Sequence, residues 1–183
     1  MRVLLICLVL SLAAPVSAED ELTSPYRGQT STGLRGLTEN EVSELRQGRG
    51  MGLARAAELN GYPGPRHVLD AVRAERLQLT PDQGHQVQRI FAAMSSEAQR
   101  LGNMVLKEEG AHEEAFRKGA ISEADLVARV GRIAALQGDL RAVHLRAHLQ
   151  TRALLSKQQI QRYDQLRGYA AGSPEKQEHE HRH

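Results

Sequence analysis

Sulfur, aromatic rings and an excess of either charge are all scarce in this chain. Among 183 residues there are one cysteine, no tryptophan, two phenylalanines and four tyrosines. The single cysteine, Cys7, has no partner for an internal disulfide. With aromatics at 3%, a core must be assembled from Leu, Val, Ile, Met and Ala. Lys and Arg number 24 against 22 Asp and Glu, a formal net charge of +2, and that balance gives no case for nucleic acid as a partner. The sequence has no Gly-x-Ser-x-Gly elbow and no Gly-rich phosphate loop. Its carboxylates are scattered as solvated helix charges are. No enzyme is expected.

Long apolar runs are limited to one, Val3 to Leu12. Preceded by Arg2 and followed by the small residues Val16, Ser17 and Ala18, it reads as a signal peptide over residues 1–18, cleaved after Ala18. The run is too short for a membrane helix, and Cys7 lies inside it, which argues against a lipid anchor. The expectation is export to the periplasm, with neither thiol nor membrane anchor left after signal removal.

Residues 19–36 are polar and without periodicity, so a disordered leader is expected. Residues 37–169 read as a single helical domain, and 170–183 as a disordered His-rich tail. Thr38 with Glu41 forms a capping box for a short helix ending near Gly48. Met51 to Leu59 is a second short helix closed by Asn60-Gly61, and Arg66 to Leu77 a third, after the Tyr62-Pro63-Gly64-Pro65 turn. From Pro81 to about Lys118, the residues Val87, Phe91, Met94, Ala98, Leu101 and Val105 keep to alternating steps of four and three, a single apolar seam. Gly119-Ala120-Ile121 breaks it. Ser122 with Asp125 then caps a second long helix to about Leu154, with Leu126, Val130, Ile133, Leu140 and Ala147 as its seam. So short a turn makes the two long helices antiparallel. A last helix runs from Lys157 to about Tyr169. The expected fold is all-α, a long antiparallel helical hairpin braced by the short N-terminal helices and the C-terminal helix.

The most specific chemical pattern is His144-Leu145-Arg146-Ala147-His148. Histidines four apart share a helix face and can chelate Zn, Ni, Co or Cu. Leu145 stands where a zinc protease needs its glutamate, which excludes that chemistry. Position 144 lies opposite position 96 in the hairpin, so Glu97 is the candidate third ligand. His179, His181 and His183 in the tail are further candidate ligands. Helix histidines bonded to carboxylates, or lying at a dimer seam, give the same pattern, and both readings stay open. A separate stripe, Ala142, Leu145 and Leu149, lies about 100° around the helix from the histidines. Arg141, Arg146 and Arg152 surround it. The stripe must meet the short helices, a second subunit or a client, and a homodimer is expected whose interface uses the second long helix and the short helices before residue 80.

Two segments of one form, Leu79-Thr80-Pro81-Asp82-Gln83 and Leu155-Ser156-Lys157-Gln158-Gln159, each open a helix. Thr80 with Gln83 and Ser156 with Gln159 are capping boxes. The Leu-Thr/Ser-x-x-Gln pair, the hairpin and the signal peptide resemble the Spy/CpxP family of periplasmic stress proteins, with Ser156 departing from the family's threonine. The resemblance covers roughly residues 65–169. It implies a helical dimer that holds unfolded periplasmic proteins or a sensor-kinase domain without ATP, as a chaperone or envelope-stress adaptor. For this chain the holding surface would be Arg141, Leu145, Arg146, Leu149 and Arg152. Other members bind zinc, nickel or cobalt, so the alternative it implies is a heavy-metal sensor or resistance protein.

Overall fold

A computed structural model describes residues 23–28 and 33–169. The expected signal peptide, most of the leader, and the tail with His179, His181 and His183 lie outside the described residues. Two units are present. In the first, ending at Arg35, a turn is closed by Arg27 N–H donating to the Ser24 carbonyl at 3.1 Å. The second, from Gly36, carries all the described helices and no strand: α1 Glu39–Gln47, α2 Arg55–Glu58, α3 Pro65–Arg73, α4 Pro81–Arg117, α5 Glu123–Leu154 and α6 Lys157–Leu166. No described helix is long and apolar enough to cross a membrane.

The caps set these boundaries. Thr38 and Glu41 form the reciprocal box that starts α1, and Gly48 ends it in a left-handed conformation (φ 61°). Ser122 Oγ accepts from Asp125 N–H at the start of α5. Two short helices are shorter than their apolar patterns predict. Met51 (φ 45°) and Gly52 (φ 74°) are both left-handed, so the second helix is confined to Arg55–Glu58 instead of Met51–Leu59. The third stops at Arg73 instead of Leu77. There Glu75 is left-handed (φ 57°) and both Arg76 and Leu77 N–H groups turn back to the Ala71 carbonyl, which delivers Leu77 into the core.

Helices α4 and α5 form the antiparallel hairpin, about 55 and 48 Å long at about 1.5 Å per residue. Arg129 donates to the Ala111 carbonyl and Arg132 pairs with Glu108, so residues whose numbers sum to about 240 lie opposite. Two clusters anchor it. Leu45 of α1 packs with Ala98, Leu101, Val105, Leu140 and Val143 midway along the hairpin. Val68 and Leu77 pack with Val87, Leu155 and Tyr163 at the hairpin's open end. Toward the turn the core thins to Ala115 and Ile133. Val130, expected on the buried seam, is exposed, because no third element covers the hairpin where it sits.

The two Leu-Thr/Ser-x-x-Gln motifs meet. Gln83 Oε1 accepts from Thr80 N–H (3.0 Å) and Gln159 Nε2 (2.9 Å), while its own Nε2 donates to Gln159 Oε1 (3.0 Å) and the Leu154 carbonyl (2.7 Å). Gln159 repeats the scheme, taking Ser156 N–H at 2.8 Å and donating to the Gln78 carbonyl at 2.9 Å. The clasp ties the start of α4 to the start of α6.

Among the described glycines, Gly102 has the tightest surroundings. A Cβ there would stand 2.0 Å from the Leu45 carbonyl oxygen, so α1 rests directly on the α4 backbone. Gly102→Ala is expected to destabilise the chain toward the upper end of the about 1–3 kcal/mol typical of overpacking. Urea denaturation checks this, and an unchanged midpoint would contradict the close contact.

Candidate functional site

The hairpin's open end gathers a buried polar cluster around Glu58. This residue sits at the end of α2, nine-tenths buried, because the turn at Asn60–Gly61 folds α2 back onto the long helices. Its Oε1 accepts from Tyr163 Oη at 2.6 Å, Arg167 Nε at 3.1 Å and Tyr169 Oη at 3.3 Å. Its Oε2 is buried without a hydrogen-bond partner and lies 3.7 Å from His148 Nδ1. His148 Nδ1 donates to the Tyr62 carbonyl at 2.7 Å, which requires a proton on Nδ1. Gly64 makes room for that ring: a Cβ there would stand 3.0 Å from His148 Nε2 and Cε1. One turn earlier, His144 is 3% exposed and its Nε2 has no partner.

Electrostatics are set by the burial. Burial, then the Glu58 hydrogen bond and charge, push the Tyr163 phenol far above its ordinary range, so it stays protonated. Burial, reinforced by the neighbouring His148, holds His144 below 6.5. Burial and then Arg167 do the same to His67, opposed by Glu58. Asp164 is pushed up by burial and then by the Glu58 charge.

The sequence-predicted residues divide. His144 and His148 are both buried, one turn apart on α5, and His148 lies against the Tyr62–Gly64 turn. Glu97 is held elsewhere: Arg100 grips both its oxygens at 2.8 and 2.6 Å, and that bond lowers its carboxyl pKa. Among the described residues no three of His, Cys, Asp and Glu converge to hold a metal ion. Arg152 has a structural place, donating to the Gly61 carbonyl at 2.6 Å with its guanidinium 4.6 Å over the Tyr62 ring. Arg141, Arg146 and Leu149 are exposed and Leu145 is half-buried, so the stripe faces away from the short helices. His112 is half-buried, edge-on to Phe116 at 5.0 Å.

Nothing local in the sequence marks Glu58, since a lone acid in Arg55–Glu58 reads as a surface charge. The signal lay in Tyr163. Placed between Ile160 and Leu166 on the apolar face of α6, its hydroxyl had to find a buried partner. Comparison with known proteins adds no relative: no family model, no curated protein and no solved structure matches this chain.

A histidine whose folded pKa is depressed binds fewer protons than the unfolded chain. Its contribution is therefore present above about pH 6.5 and lost as pH falls through the folded value. Stability is expected to fall as pH drops below about 6.5, with His144 and His67 acting in the same direction. His144→Leu removes an unpartnered buried nitrogen, so it should be neutral or stabilising near pH 7 and should flatten the pH slope. Urea midpoints across pH check both. A loss of about 2 kcal/mol or more at pH 7 would show that His144 has a partner in solution.

Proposed function

We propose that this chain is an exported, ATP-independent holding protein, a chaperone or envelope-stress adaptor, and not an enzyme. One observation carries the reading. Toward its turn the hairpin runs beyond its own packed core and leaves Phe116 54% and Val127 67% exposed; on the outer face of α5 near the other end Leu149 is 56% exposed, with Arg141 and Arg146 also exposed. Large apolar side chains exposed beside charge are features of interaction surfaces. Guanidinium groups add contacts to acidic and aromatic groups of an unfolded chain. The paired capping motifs and the apolar leader add support through their resemblance to the Spy/CpxP family.

The Glu58 cluster favours a second reading, binding of a divalent transition metal such as Zn, Ni, Co or Cu. Two buried atoms able to ligate, Glu58 Oε2 and His144 Nε2, lack partners, and His148 neighbours both residues. Glu58, His144 and His148 do not converge as a metal site in the described arrangement, so this reading requires their side chains to close on the ion, with Glu58 in place of the expected Glu97.

Purified chain in stoichiometric excess is expected to suppress aggregation of a chemically denatured client without nucleotide. Met104 on α4 is also exposed, at 40%; Phe116→Ser with Met104→Ser, or Arg141→Glu with Arg146→Glu, should weaken that suppression several-fold while circular dichroism stays unchanged. Failure of the wild type to suppress aggregation would remove this reading. Calorimetric titration with Zn, Ni, Co and Cu tests the second. Micromolar or tighter binding lost in His144→Ala/His148→Ala and in Glu58→Gln, but kept in Glu97→Gln and in a chain truncated after Tyr169, supports it. Loss only on truncation would assign binding to the tail.

A further inference from the structure

Among the described methionines, Met51, Met94 and Met104, only the last has a hydrogen bond on its sulfur. Arg100 Nη1 donates to Met104 Sδ at 2.9 Å. The same guanidinium is gripped by Glu97, which accepts from Nε at 2.8 Å and from Nη2 at 2.6 Å. Residues 97, 100 and 104 share one face of α4 in steps of three and four. A thioether is a weak acceptor, and an exposed arginine has water to donate to instead. The contact therefore depends on the carboxylate, whose two-point grip fixes the guanidinium plane and aims Nη1 at the sulfur.

Access is open. Met104 is 40% exposed and Met51, in the loop before α2, 37%, so Met51 serves as an internal control of nearly equal exposure. Met94 is half-buried against the Leu45 cluster.

We propose that Met104 is a reversible oxidation site, at which Arg100 orients the thioether toward a peroxide-type oxidant and then holds the sulfoxide. A sulfur lone pair attacks one oxygen of hydrogen peroxide, an S–O bond forms and the O–O bond breaks. Sulfur gives up two electrons. The departing hydroxide takes the proton of the transferred oxygen, so the products are sulfoxide and water. Nη1 occupies one of the two sulfur lone pairs and leaves the other to the oxidant, which favours one sulfoxide configuration. The two guanidinium hydrogens not used by Glu97 or the sulfur are free to donate to the departing oxygen, where negative charge develops. Because Glu97 balances the guanidinium, the positive charge growing on sulfur meets a neutral pair and not a bare cation. The product is held more firmly than the reactant, since a sulfoxide oxygen is a stronger acceptor than a thioether and its bond to Arg100 is charge-assisted. Oxidation turns this part of the α4 surface from apolar to polar. Thiol-dependent reductases, one for each configuration, restore the thioether, two thiols becoming a disulfide while the oxygen leaves as water. The inference goes beyond the holding function and does not depend on it.

The test treats the folded full chain with hydrogen peroxide and follows each methionine by mass spectrometry of its peptide. Met104 is expected to oxidise about fivefold faster than Met51, the factor that a hydrogen bond of ordinary net strength gives. Arg100→Gln should bring the ratio to about one, and Glu97→Gln, which releases the guanidinium, should lower it as well. After digestion, one of the two stereospecific reductases should clear about four-fifths or more of the Met104 sulfoxide, whereas both should act about equally on that of Met51. Equal rates at Met104 and Met51 overturn the proposal, as does a preference that survives Arg100→Gln. An even mixture of configurations at Met104 overturns it too, and that arm needs no variant.

Discussion

The reciprocal bond between Gln83 and Gln159 is the constraint on which the rest of this fold depends. Each side-chain amide uses its oxygen twice and its nitrogen twice, on its own cap, on the other glutamine and on a carbonyl two residues before the other cap. Only an amide can do this. A carboxylate has no donor, and two of them facing each other would repel. The isolated capping box of α1 accordingly uses Glu41, whereas the two boxes that meet both use glutamine. Through the clasp, a local helix-start signal becomes a long-range contact between residues 76 apart.

The clasp makes the hairpin uneven. With α6 fastened beside the start of α4, Tyr163 enters the core under α3 and its hydroxyl reaches Glu58, drawing α2 into the same corner. Binding energy in that corner is partly polar, and one oxygen of Glu58 and one nitrogen of His144 remain unsatisfied. Such orphaned buried atoms are costly, which makes them informative about ligands. The opposite end has only two helices and displays Phe116, Val127 and Val130. The packed end holds the chain together, and the bare hairpin and the outer face of α5 are free to meet other molecules.

The helices themselves were legible because their signals are local. Caps at Thr38, Thr80, Ser122 and Ser156 and the breaks at Gly48 and Gly119 each act within a few residues. The hairpin register came from the shortness of the turn. Legibility failed where the outcome rests on distant contacts. The apolar pattern through Leu77 continues past the end of α3, yet the chain unwinds so that Leu77 can reach the core. Glu97 lies opposite the histidines in register but is captured by Arg100 one turn away. Glu58 carries no local mark, since its role is created by Tyr163, Arg167 and Tyr169, more than 100 residues later. The α5 stripe was legible in composition but not in direction. The buried face of α5 contains His144 and His148, and the leucines point outward.

The most direct measurement is a double-mutant cycle on the clasp, with Gln83→Ala, Gln159→Ala and the pair compared with wild type by urea denaturation. Because the two amides share bonds, the result expected is strong non-additivity, a coupling of about 1–3 kcal/mol, with the second substitution costing much less once the first is made. If the two losses instead add to within about 0.5 kcal/mol, the motifs act as independent helix caps, and the clasp does not organise the fold.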